Sequence, residues 1–256
     1  MKRAVDTFSY REFVDEAVNR KLHDNNSQSS RSGSENFTQS KSFDESVKWA
    51  TEGWDLGLEQ YKIEDGVLTS GTTHLNPGLA GCMPHVQNYI MGFPQQMYEL
   101  VDEREYNLPT LDLIVSLAYA GGVGGSDALD FSKSLIGYIN KMSSTHNIRL
   151  TGVFPTKQNS TEYDVIIKLK DFDQVMVLNN IAFAFHPSFF RRLWFAVAEG
   201  KSFLSSGYGR SRKDYKESVS KSIDTSKSDK VIFTKDLANL SGQYNWSPDE
   251  IEEVSF

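Results

Sequence analysis

Leu111-Asp-Leu-Ile-Val-Ser-Leu-Ala118 is followed by the glycine loop Tyr119-Ala-Gly-Gly-Val-Gly-Gly-Ser-Asp127, then by an amphipathic stretch from Asp130 to Met142, then by a second apolar run, Ile148-Arg-Leu-Thr-Gly-Val-Phe154. The first run is rich in β-formers and nearly continuous in apolar side chains, as expected of a strand covered on both faces of a parallel sheet. In the stretch after the loop, Leu129, Leu135, Ile136 and Ile139 fall on one helical face. Strand, helix and strand in this order make one βαβ crossover. The expected fold is therefore α/β, with a central, mostly parallel sheet of about four strands covered by helices.

Working outward, Tyr163-Asp-Val-Ile-Ile-Lys-Leu-Lys170 is a third strand and Val231-Ile-Phe233 a fourth. Val175 to Phe185 and Pro187 to about Glu199 read as two apolar helices, the second begun by Pro187 and stopped by Gly200. Ser42 or Asp44 caps a short helix ending near Gly53. Gly66 to Met83 is turn-rich with at most short strands, and two brief helices are expected at His85 to Met91 and Pro94 to Leu100.

At the N-terminus, Phe8, Phe13, Val14, Ala17, Val18 and Leu22 recur at helical spacing, so residues 1–22 read as an amphipathic helix. His23 to Ser42 is Ser-, Asn- and Gln-rich with only Phe37 apolar, too little hydrophobic area to offset ordering, and reads as a flexible linker. Residues 43–256 then form a single α/β domain. Lys201 to Asp229 reads as a mobile basic excursion, and Ser247-Pro-Asp-Glu250 starts a last helix.

The chain has 256 residues, 39% of them hydrophobic, enough for a sizeable core. A formal net charge of -7 argues against a general nucleic-acid coat, which needs surplus Lys and Arg. The single cysteine, Cys82, excludes an intramolecular disulfide and a Cys-based zinc site. No apolar stretch reaches the length of about 18 to 20 residues that spans a bilayer, and Met1-Lys-Arg-Ala lacks an apolar core for a secretory signal. Cytoplasm is the expected compartment, with no membrane partner.

The chemistry-bearing motifs are incomplete. The glycine loop lies where open α/β sheets bind ligands, and Gly122, Gly124 and Ser126 are candidate anion contacts. It lacks the Lys-Ser/Thr of a P-loop, and Gly122-Val-Gly124 meets Asp127 where a dinucleotide fingerprint has its last glycine. Asp130-Phe-Ser-Lys-Ser134 matches the Asp-x-Ser-x-Ser metal motif of von Willebrand A domains, yet sits inside a helix rather than directly after a strand. The five histidines form no metal-ligand pair; His186 before Pro187 is placed to cap the new helix as readily as to do chemistry, and Cys82 three residues before His85 reads as a buried thiol rather than a catalytic pair.

Arg191-Arg192 interrupts an apolar helix; one arginine can snorkel outward, and the other is expected to form a structural ion pair with a carboxylate or, as the alternative, to hold a ligand phosphate. Gly207-Tyr-Gly-Arg-Ser-Arg-Lys-Asp-Tyr215 interleaves Arg210, Arg212 and Lys213 with aromatics, a composition suited to single-stranded nucleic acid. These arginines and Lys213 complete the set of candidate contacts. No catalytic residue, metal ligand or cofactor is assigned.

Three further phrases, Ser42-Phe-Asp-Glu-Ser-Val47 to Glu52-Gly-Trp54, Ala80-Gly-Cys-Met-Pro-His-Val-Gln-Asn-Tyr-Ile-Met-Gly-Phe-Pro94 with Met97, and Ala182-Phe-Ala-Phe-His-Pro187 with Arg191-Arg192-Leu193 and Phe195, together resemble a widespread family of bacteriophage-encoded proteins without an assigned activity. The resemblance spans roughly Phe43 to Glu199 and implies a viral protein made in the host bacterial cytoplasm. The resulting expectation is a non-enzymatic accessory protein that docks on a phage or host protein. Nucleic-acid binding through residues 201–230 is the first alternative, and a metal- or phosphate-dependent enzyme at residues 121–130, using Lys170 or Asp171, is the second.

Overall fold

A computed structural model of the chain describes residues 2–23, 28–54, 73–78, 83–84, 86–91, 97–102, 108–118, 122–158, 160–174, 178–201, 210–211 and 216–233. The βαβ unit is present as read. Strand β5 (Thr110–Ser116) leads through the loop into α6 (Gly125–Ser143) and then β6 (Asn147–Gln158). The two strands run side by side in parallel, with Leu111 opposite Ile148 and Ser116 opposite Val153. Strand β7 (Thr161–Lys170) returns antiparallel to β6, and β9 (Lys230–Phe233) adds parallel to the far side of β5.

The first strand of the sheet departs from the sequence reading. Lys2–Ser9 is not helical; it is β1, parallel to β7, with Ala4 opposite Tyr163 and Phe8 opposite Ile167. Its side chains alternate, Ala4, Asp6 and Phe8 half-buried while Arg3, Val5 and Thr7 stay exposed, a period of two that overrides the weaker helical spacing of Phe8 with Phe13. Asp6 sits in the inward row because Tyr163 Oη and Lys201 Nζ each donate to its Oδ2 at 2.8 Å. The order β1-β7-β6-β5-β9 is thus mostly parallel, and the short β8 (Arg210–Ser211) pairs with the end of β6.

The N-terminal helix exists but is shorter and fixed. Ser9 caps α1 (Tyr10–Asn19): its hydroxyl accepts from the Glu12 amide while Glu12 Oε2 accepts from the Ser9 amide at 2.7 Å, a capping box. Phe13, Val14 and Ala17 are buried in the main core, where the Phe13 ring meets Phe154 and Phe189 at 5.8 and 5.2 Å. Each buried aromatic of this kind stabilises the fold by about 1.5–3 kcal/mol. An N-terminal helix on a tether is therefore corrected to a strand and helix built into the domain.

The expected linker is corrected likewise over its described part. Residues 28–42 hold two single-turn helices, α2 (Ser29–Ser32) and α3 (Glu35–Thr38), ordered by hydrogen bonds rather than by apolar burial. Ser42 then caps α4 (Phe43–Glu52) by accepting from the Glu45 amide, and Gly53 closes it. The main core gathers α1, α4 and α6 with α7 (Leu178–Phe185), a π-helical turn (Phe189–Trp194) and α8 (Phe195–Glu199) on one sheet face. Ile114, Val153, Ile166 and Phe233, on the other face, pack with Val219 of α9 (Lys216–Ser222). The excursion at 201–229 is therefore integrated at β8 and α9.

A separate three-stranded antiparallel sheet joins β2 (Thr73–Gly78), β4 (Met97–Asp102) and β3 (Met83–Pro84), with helix α5 (Val86–Met91) following β3. The helix expected at Pro94 to Leu100 is corrected here: Met97–Asp102 is a strand, because pairing on both sides outweighs a Pro start signal. Cys82, His85, residues 175–177 and the expected helix at 247–250 lie outside the described residues. Among the described residues no helix is long and apolar enough to cross a membrane.

Candidate functional site: an arginine turn beneath a strap

The glycine loop leaves the C-terminal end of β5, the position where ligands meet α/β sheets. Gly124 is the N-cap of α6 and supplies no side-chain cap. Here the place of a ligand is taken by the chain itself. Residues 28–42 lie across the start of α6, so close that a Cβ at Gly125 would stand 2.4 Å from both Asn36 O and Gln39 Nε2. Gln39, which ends α3, holds a left-handed backbone with φ of 59°, a costly conformation for a side-chain-bearing residue.

This strap is fastened by the arginine pair. In a π-helical turn, bonds reach back five residues and the ring is wider, so consecutive side chains stay closer in direction than in an α-helix. Both Arg191 and Arg192 are buried, at 1% and 0% exposure. Arg191 donates to Phe37 O at 2.5 Å and to Val123 O at 2.6 Å, and its guanidinium lies 4.0 Å from the Phe37 ring centre. Arg192 donates to Ser40 Oγ at 2.6 Å, Ser40 O at 2.8 Å, and Ser30 O and Gly33 O at 3.1 Å each. Burial lowers the Arg192 pKa from its ordinary value, partly offset by the field of Glu45.

A third fastening comes from Glu199, also buried. Its carboxylate accepts from Ser30 N at 2.8 Å and Ser30 Oγ at 2.5 Å, and forms an ion pair with Arg20 at 2.7 Å. Within the strap the Thr38 hydroxyl donates to Ser40 O at 3.0 Å, and from α4 the Ser46 hydroxyl donates to Ser40 Oγ at 2.9 Å. The bonds of Arg192 run to neutral strap oxygens rather than to a carboxylate or a ligand phosphate, and both arginines are buried rather than presented to solvent as nucleic-acid contacts. Ser30, Phe37, Ser40 and Glu199 were the unread half of this arrangement. The signal is partial: two arginines in an apolar helix need many acceptors, but nothing in the sequence identifies the hydroxyl-rich stretch as their source.

The other sequence candidates do not assemble with this turn. Gly122 and Ser126 are exposed beside the buried Val123. Asp130 is exposed and pairs with Lys133 at 3.4 Å, whereas the Ser132 hydroxyl points inward to Ala128 O and Phe185 O, so the Asp-x-Ser-x-Ser residues do not converge. Among the described residues no group of three or more His, Cys, Asp or Glu could hold a metal ion. Lys170 is buried at the opposite end of the sheet, donating to Ile148 O at 2.9 Å and Asp171 O at 3.0 Å. The acid–base convergence required of an enzyme at the loop is absent among these residues. Arg210 lies on β8, whereas Arg212 and Lys213 fall outside the described residues.

His186 caps, one of the two roles open to it before Pro187. Its Nδ1 accepts from the Ser188 amide at 3.1 Å and lies 2.7 Å from Ser188 Oγ, which leaves the ring proton on Nε2. Trp54 packs edge-on at 4.4 Å and Trp49 at 5.3 Å. This burial pushes the imidazole pKa down to about 3.

One feature points outward. Val86, Tyr89, Ile90 and Met91 of α5 are 60%, 68%, 77% and 68% exposed. Val86, Tyr89 and Ile90 share one helical face at i, i+3 and i+4, and the helix Val86-Gln-Asn-Tyr-Ile-Met91 carries no charge. A family model described as "Domain of unknown function (DUF7192)" matches residues 4–251. No curated protein and no solved structure matches the chain.

Proposed function

This chain belongs to the DUF7192 family, whose description assigns no activity, and we propose that it is a non-enzymatic accessory protein that binds a macromolecular partner. The exposed face of α5 carries this reading. Exposed apolar side chains that cluster, rather than scatter, mark interaction sites, and Tyr and Met are enriched in such contacts. An uncharged helical face with anchors at i, i+3 and i+4 suits a hydrophobic groove or a second helix on a protein partner. In this reading the partner is a phage or host protein and the setting the host bacterial cytoplasm.

The test is affinity purification from infected cells of the wild-type chain and of the Tyr89→Asp, Ile90→Asp double variant, with a photo-crosslinking residue at position 89 in a parallel sample. The expected result is one protein recovered and crosslinked by the wild type and lost from the variant, at unchanged thermal midpoint because both side chains are exposed. Equal recovery by the two chains, or none above an unrelated control, overturns the reading.

A further inference from the structure

We propose that the Arg191–Arg192 turn is a binding site for a phosphoryl oxyanion, held closed by residues 28–42 acting as a releasable strap. Arg192 is fully buried, yet all four of its hydrogen bonds end on neutral oxygens, those of Ser30, Gly33 and Ser40. A guanidinium is best satisfied by an anion, whose charge-assisted bonds are roughly twice as strong as bonds to neutral groups. The strap oxygens stand where an anion's oxygens would stand. Beside them, Arg20 is neutralised by its ion pair with Glu199, which does not bond to Arg192. Glu45, the acid whose field reaches Arg192, receives the Lys41 amide at the exposed end of α4.

The strap is suited to leave. No residue from 28 to 42 belongs to the main apolar core, which resumes at Phe43. The strap is held instead by hydrogen bonds to Arg191, Arg192 and Glu199, and segments held mainly by polar contacts open at lower free energy than the core. The left-handed Gln39 adds strain that opening would relieve. The same movement uncovers Gly125 at the start of α6, against which Asn36 and Gln39 pack. Strap and anion then compete for the same donors, so whatever loosens one tightens the other by the same factor.

The test follows backbone amide exchange of the full chain with and without inorganic pyrophosphate, and in a second arm with a short single-stranded oligonucleotide, to separate a free phosphate from a nucleic-acid backbone. Either probe should speed exchange at residues 28–42 by roughly tenfold, a usual size for coupling between two sites, while β5 and β6 stay protected. In Gly125→Ala the added methyl group would collide with Asn36 and Gln39. That variant should show a faster-exchanging strap and bind the effective probe more tightly than the wild type. The inference is overturned if the strap exchanges as slowly as β5 and β6, if neither probe changes it, or if Gly125→Ala loosens the strap without tightening binding. The wild-type measurement decides the matter even if the variant does not fold.

Discussion

Arg192 grips Ser40 twice, through Nε to the hydroxyl at 2.6 Å and through Nη2 to the carbonyl at 2.8 Å. The residues are 152 positions apart, so this contact joins the start of the domain to the helices that cover its sheet. Arg192→Ala would strand the Ser30, Gly33 and Ser40 oxygens without their donor. The expected loss is about 2–4 kcal/mol in chemical denaturation, and Arg192→Lys should recover only part of it because an ammonium cannot reproduce the fork.

Removing residues 1–22 deletes β1 and the buried Phe13, Val14 and Ala17. A chain beginning at residue 23 should be insoluble or melt without cooperativity, as circular dichroism will show. Phe13→Ala within the full chain should cost about 3–5 kcal/mol, the range for a large buried aromatic.

The imidazole of His186 stays neutral in the folded protein down to about pH 3, against 6.5 for an ordinary histidine. As pH falls from about 6.5 toward 3, the unfolded chain takes up a proton that the folded chain refuses. Stability contributed by the neutral ring is complete above pH 6.5 and declines below it, by at most about 1.4 kcal/mol per unit. Denaturation midpoints for His186→Gln should therefore depend less on pH in this window. Nuclear magnetic resonance of the wild-type ring should show the Nε2 tautomer with no titration above pH 4.

At the other end of the sheet, Asp112 is buried on β5 and accepts from Arg149 Nε at 2.5 Å and Nη2 at 2.6 Å, and from the Ser228 hydroxyl. Arg149 also donates to Asp224 O at 2.6 Å, tying the loop before β9 to the strands it must join. Asp112→Ala leaves a part-buried guanidinium without its carboxylate and should destabilise by about 3–5 kcal/mol. Replacing both residues with apolar ones should cost less than the sum of the single changes in a double-mutant cycle.

What could be read from the chain followed the physics of each element. β5 and β6 announced themselves because strands covered on both faces are written in apolar residues, and α6 because its apolar face recurs with helical period. β1 stayed hidden because an edge strand is only half-apolar: Asp6 occupies an inward position, and its compensation by Tyr163 and Lys201 lies far along the chain. β4 stayed hidden behind Pro94, whose local preference does not register pairing with β2 and β3. The strap was illegible for a different reason. Hydrophobic content measures only one route to order, and residues 28–42 use the other, a set of hydrogen bonds to Arg191, Arg192 and Glu199. Arg191 and Arg192 were recognisable as anomalous; their acceptors were not.

The pairing of β1 with β7 has a consequence for synthesis. Arg3 and Asp164, which bridge these strands, are 161 positions apart. At about 5–20 residues per second, β1 leaves the ribosome on the order of ten seconds before the strand it needs. During that interval its amides and carbonyls have only water or a neighbouring nascent chain to bond. Lys2, Arg3 and Asp6 give that waiting strand charges that discourage association, so these residues serve solubility before they serve the sheet.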